Sequence, residues 1–129
     1  MRLFLEVSHA DSRFSRLDRL AKPLTSEEGH RILERDHYRC QYCGLDGMSN
    51  FENSLIMTVD FFHPRAHKGK KVPNNLVTAC RPCNIIKGRR VFTSVEEAKA
   101  YVLQRRMELH RDWEANTARL RSQSAAVSP

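Results

Sequence analysis

Cys40-Gln41-Tyr42-Cys43 and Cys80-Arg81-Pro82-Cys83-Asn84-Ile85-Ile86-Lys87-Gly88 are the stretches on which the fold turns. A two-residue spacer lets both thiolates of one tight turn point at a single tetrahedral ion about 2.3 Å away. Gly44 follows the first pair and suits the positive φ that such a knuckle often needs. All four cysteines fall into these two pairs, which predicts one structural Zn²⁺ on Cys40, Cys43, Cys80 and Cys83. Two disulfides would require an oxidising compartment, and the opening MRLFLEV lacks the apolar run and cleavage site of a secretion signal. A thioredoxin-like dithiol would use one pair and leave the other unexplained. The pairs are separated by 36 residues, so a folded unit must sit between them with zinc closing its base.

Outward from the knuckles, charge is concentrated. Between Phe61 and Arg90 there are eight Lys or Arg and no Asp or Glu, whereas the other residues carry 14 basic and 15 acidic side chains. The whole net charge of +7 therefore lies in one segment. A phosphate-facing surface requires this exclusion of carboxylates, and nucleic acid is the partner it predicts. The chain of 129 residues, 40% hydrophobic and 29% charged, suits one compact domain with a possible tail. No apolar run approaches the roughly 18–20 residues of a membrane span. A cytoplasmic protein is expected.

The remaining elements follow from caps and periodicity. Thr25 and Glu28 form a capping box that opens a helix to about His37, with Ile32 and Leu33 inward. Residues 44–54 are polar and read as a loop, Leu55 to Phe62 as a strand, and Pro64 to Pro73 as a basic loop. Asn75 to Lys87 reads as a turn, the second knuckle and a short helix. Ser94 and Glu97 form a second capping box, opening a long helix over 93–121 with Val95, Ala98, Val102, Leu109 and Trp113 on its inner face. Residues 1–24 read as an arm, with Leu3, Leu5 and Val7 alternating like a strand and Phe14, Leu17 and Leu20 spaced like a helix face. Residues 122–129 read as a disordered tail.

Within the zinc frame the chain runs Val59-Asp60-Phe61-Phe62-His63-Pro64-Arg65, then Asn75-Leu76 and Cys83-Asn84 through Lys87-Gly88. This resembles the HNH endonucleases, the zinc-framed branch of the ββα-metal (His-Me finger) nucleases, over about residues 30–92. The resemblance implies an α+β fold: a small ββα-metal core on the four-cysteine zinc site (25–92), flanked by an N-terminal helix and a long C-terminal helix. It implies a metal-dependent DNA endonuclease that hydrolyses phosphodiester bonds. Asp60 and Asn84 match the ligands of a catalytic Mg²⁺ or Mn²⁺, both offering oxygen as a hard cation prefers. Asn75 matches the residue that holds the turn and orients the base.

The family's Asp-His is here Asp60-Phe61, and phenylalanine takes no proton. His63 lies one strand repeat further along, about 6.5–7 Å away on the same side. As a displaced general base it completes a catalytic set of Asp60, His63, Asn75 and Asn84; as a loop histidine it only neighbours the site. Arg65, Lys68, Lys70 and Lys71 in the loop, and Lys87, Arg89 and Arg90 beyond Asn84, are expected on DNA phosphates. The alternative function is an impaired HNH module that binds DNA or a protein partner without cutting. Residues 1–24 or the long helix would serve as the docking element.

Overall fold

The computed structural model describes residues 22–127. The readings placed on Leu3, Leu5, Val7, Phe14, Leu17 and Leu20 lie outside the described residues. Helix α1 spans Ser26–Arg35 and opens on the expected capping box, with the Thr25 side chain accepting from the Glu28 amide and the Glu28 carboxylate accepting from the Thr25 amide. It buries Ile32. Its end clasps the sheet. Arg35 donates to the carbonyls of Pro73 and Leu76, at 2.8 and 2.6 Å, while Asp36 accepts from the Thr78 amide at 2.9 Å.

Two strands follow. β1 is Met57–Phe61 and β2 is Leu76–Cys80; they pair antiparallel with Met57 opposite Cys80, Asp60 opposite Val77 and Phe61 opposite Leu76. Helix α3, Arg81–Lys87, continues from the second knuckle and packs across both strands. This ββα unit is the expected core, and the fold is α+β. The chain departs from its sequence reading in three places within the core. Residues 51–55 form a short helix, α2 (Phe51–Leu55), where a loop was expected, because the Asn50 side chain caps the Asn53 amide. The strand begins at Met57 rather than Leu55. Leu76–Cys80 is a strand where a turn was expected, since its pairing with β1 outweighs five residues of weak local signal.

The basic loop is compact, with 3₁₀ turns at Arg65–His67 and Pro73–Asn75. Gly69 crosses directly over the turn; a Cβ there would stand 1.7 Å from the His63 carbonyl oxygen. The last helix, α4, spans Val95–Val127. Its start is capped by the Ser94 hydroxyl, which accepts from the Glu97 amide, but the Glu97 carboxylate reaches back to Thr93 rather than Ser94. Ala98 and Val102 are fully buried against the core. Leu109 and Trp113 are exposed, contrary to expectation, because α4 has by then run past the body it packs on. The helix also continues through residues 122–127, where a tail was expected.

Candidate metal centre and nucleic-acid interface

The cysteines converge. One sulfur from each of Cys40, Cys43, Cys80 and Cys83 lies within 4.8 Å of all the others, and none forms a disulfide. The Cys43 and Cys80 sulfurs are 3.7 Å apart, close to the roughly 3.8 Å edge of a tetrahedron with 2.3 Å metal–sulfur bonds. Gly44 closes the first knuckle with φ +81, as its position requires. Hydrogen bonds from Cys80 and Cys83 hold the Cys40 thiol far below the ordinary range, and the same bonds push Cys80 up to about 11 and Cys83 higher. Four sulfurs this close cannot all ionise without a dication between them, so the donor set fits zinc. Two N–H groups point at the sulfurs: the Cys43 amide at Cys40, 3.4 Å, and the Arg106 guanidinium at Cys83, 3.8 Å. Sequence reading missed Arg106, which lies far down a helix with nothing local to mark it.

Asp60 and Asn84 come together. Both line an open hollow of about 280 Å³ with Phe61, Arg65, Gly88 and Arg89. Thr58 and Asp60 share one face of β1, and Asn84 and Lys87 are one turn apart on the α3 face that covers it. Asn84 Nδ2 donates to the Thr58 hydroxyl at 3.0 Å, and that hydroxyl donates its own proton to the Ala79 carbonyl at 2.8 Å. Thr58 can therefore only accept from Asn84, which fixes the amide with its oxygen turned away from Thr58.

Asp60 is buried. Its Oδ2 accepts from the Tyr42 hydroxyl at 2.7 Å and faces Lys87 Nζ at 3.2 Å. Oδ1 accepts no hydrogen bond among the described residues, and no buried side-chain oxygen there lacks a partner, so Oδ1 is open to solvent. Burial pushes the Asp60 carboxyl above its ordinary range; Lys87 and then Tyr42 pull it back without cancelling the effect. Burial, and next the Asp60 charge, keep the Tyr42 phenol protonated, as a donor must be. Each candidate ligand thus has one atom tied to the scaffold and one oxygen left over, a fit for a hard divalent cation.

Asn75 clasps both backbone polar groups of His63, accepting from its amide at 2.8 Å and donating to its carbonyl at 3.1 Å. The His63 ring does not line the hollow. Its Nε2 donates to the His67 carbonyl at 2.9 Å, which leaves the Nδ1 lone pair as the one acceptor on the neutral ring. Phe61 does line the hollow, with the Arg65 guanidinium 5.7 Å from its ring centroid.

The cationic set divides. Lys87 is completely buried on Asp60 and donates to the Phe61 carbonyl at 3.3 Å, so its expected place on DNA is corrected: it is an internal counter-charge. Lys71 is half-buried on Glu28 at 2.9 Å and ties the loop to α1. Arg90 stacks over Tyr101 at 4.7 Å, fastening the start of α4. Lys68, Lys70 and Arg89 face solvent, and Arg65 and Arg89 rim the hollow.

The HNH endonuclease family matches the chain over residues 40–90. That span runs from the first zinc cysteine to the end of the cationic segment after α3, so the matched part is the ββα unit with its metal cluster. No curated protein and no solved structure matches the chain. Among the described residues no helix is long and apolar enough to cross a membrane.

Proposed function

We propose, from the match of residues 40–90 to the HNH endonuclease family, that this protein is a divalent-metal-dependent DNA endonuclease that hydrolyses phosphodiester bonds slowly. The observation that carries the proposal is the pairing of Asp60 and Asn84 in one hollow, each with a scaffold-bound atom and a spare oxygen. A bare binding surface has no use for that arrangement. Zinc on Cys40, Cys43, Cys80 and Cys83 is structural. Asp60 Oδ1 and Asn84 Oδ1 would hold Mg²⁺ or Mn²⁺, which supplies neutralisation of phosphate charge. Arg65 and Arg89 bind the phosphates on either side, and Lys68 and Lys70 extend the track along the duplex. Asn75 keeps the His63 loop closed. Four reduced cysteines suit the cytoplasm.

The low rate follows from Phe61, which puts a ring with no proton acceptor where the base belongs. Phe61 also favours a second reading: an HNH module that binds DNA, or a protein partner through residues 1–24 or α4, without cutting it. A plasmid-cleavage assay with Mg²⁺ or Mn²⁺ separates the two. Wild type should nick or cut, Asp60→Ala should be inert, and Phe61→His should gain about 10²–10⁴-fold, the worth of general-base help. Inert wild type and inert Phe61→His, on single- and double-stranded DNA with both metals, leave only the binding module.

A further inference from the structure

We propose that Tyr42, a spacer residue of the first zinc knuckle, is a positioning residue for the divalent-ion site. Its hydroxyl fixes Oδ2 of Asp60, leaves Oδ1 to the hollow, and so hangs the ion-binding carboxylate on the zinc-bound loop. This rests on the reading of Asp60 as an ion ligand, though not on DNA cleavage itself.

Three observations carry it. Tyr42 is fully buried, and the only hydrogen bond of its hydroxyl among the described residues goes to Asp60. A phenylalanine would fill the same space, so packing alone does not call for the oxygen. Next, a carboxylate turns easily about its last torsion. Lys87 alone would leave Asp60 free to swing about one contact; two donors on the same oxygen, one from the knuckle and one from α3, hold its plane. Finally, Tyr42 cannot shift without its neighbours. Cys40 and Cys43 bracket it in the metal cluster, and the Gln41 amide donates to the Thr78 carbonyl at 2.9 Å, pinning the knuckle to β2. The zinc loop and the carboxylate are one rigid piece joined through a phenol.

The test measures Mn²⁺ binding to zinc-loaded protein from the electron paramagnetic resonance signal of the free ion, beside zinc content and circular dichroism. Tyr42→Phe should keep zinc and fold, and weaken Mn²⁺ binding by about 10–100-fold, as loss of an outer partner of a metal ligand does. Asp60→Asn should abolish that binding. Wild-type affinity in Tyr42→Phe overturns the proposal, as does wild type that binds no Mn²⁺. Should Tyr42→Phe fail to hold zinc, Mg²⁺ titration of wild type followed by NMR takes its place: the Tyr42 ring resonances should move together with those of Asp60. Asp60 signals that move while Tyr42 stays still overturn the role. Mn²⁺ binding that depends on Asp60 and Tyr42, in a protein that cuts no DNA, sinks the nuclease reading and leaves the positioning role standing.

Discussion

Lys87 illustrates how a residue can match a motif and still be misread from sequence. It sits among Arg81, Arg89 and Arg90 in a segment without carboxylates, so the linear pattern puts it on phosphate. In three dimensions it is the one cation of that run with no exposure, and it neutralises Asp60 while lying 5.7 Å from the Phe62 ring centroid. The two readings differ in what Lys87→Met should do. If Lys87 held a phosphate, its replacement would weaken DNA binding and leave the fold alone. As a counter-charge, its removal strands a carboxylate inside the protein, a cost of about 3–5 kcal/mol. Denaturant unfolding should show the second result, with the zinc still bound at low denaturant. Unchanged stability with weakened DNA binding would return Lys87 to the surface set. Asp60, Asn84 and Asn75 were singled out because they match positions of the HNH motif that the sequence resembles. Tyr42, Thr58 and Arg106 were not, because each acts on a partner distant in sequence: 18 residues for Tyr42 and Asp60, 26 for Thr58 and Asn84, 23 for Arg106 and Cys83.

Between elements, the structure depends on clasps rather than on a large apolar core. The zinc cluster joins the knuckle before β1 to the start of α3, and its binding energy, on the order of 10 kcal/mol, is folding energy. Cys80→Ser should therefore unfold the domain, and a strong chelator should do the same to wild type. Folded protein with no zinc by metal analysis would overturn this. The clasp between α1 and β2 is a carboxylate, and its pH dependence has a definite sign. Burial would raise the Asp36 carboxyl, but the Arg35 hydrogen bond and then the Thr78 amide outweigh it and hold it below its ordinary range. A depressed folded value means stability that is present above the unfolded value of about 3.9 and lost as pH falls through the folded one. Asp36→Asn should cost about 1–3 kcal/mol at pH 7, the worth of hydrogen bonds to a charged group. The difference from wild type should shrink steadily below pH 4. A difference that persists unchanged to pH 2 would show that packing, not charge, is what Asp36 supplies. A capping box at Thr25 and a Ser94 cap made the starts of α1 and α4 readable in sequence. Strand β2 was hidden because Leu76–Cys80 runs straight into a knuckle, and its identity comes from β1 across the sheet.

Across the whole molecule, charge and shape diverge from their sequence reading in the same way. The α4 apolar pattern implied an inner face as far as Trp113, but the packing gives out earlier: Ala98 and Val102 are fully buried, Val95 and Tyr101 pack partly buried against the core and Arg106 reaches Cys83, while Leu109 and Trp113, further along its 33 residues and about 50 Å of helix, are exposed. Periodicity shows which side of a helix is apolar; it does not show where the body beneath it ends. Likewise the net charge of +7 overstates what faces DNA. Lys87 is buried on Asp60, Lys71 is paired with Glu28 and Arg90 lies over the Tyr101 ring. Lys68, Lys70 and Arg89 are exposed, and Arg65, itself packed over Phe61, stands with Arg89 at the rim of the hollow. Four phosphates neutralised on duplex DNA release counterions with a slope of about −3.6 in log K against log salt. All seven expected cations would give about −6.3. Fluorescence anisotropy of a labelled duplex, in EDTA-free buffer without divalent ions and over a range of monovalent salt, measures the slope directly. The expected value is near −4, and it should fall by about two when Lys68 and Lys70 are both changed to Gln, with affinity reduced alike for unrelated sequences. A slope near −6 would put Lys71, Lys87 and Arg90 back on the DNA, and a flat salt response would remove this face as the binding surface.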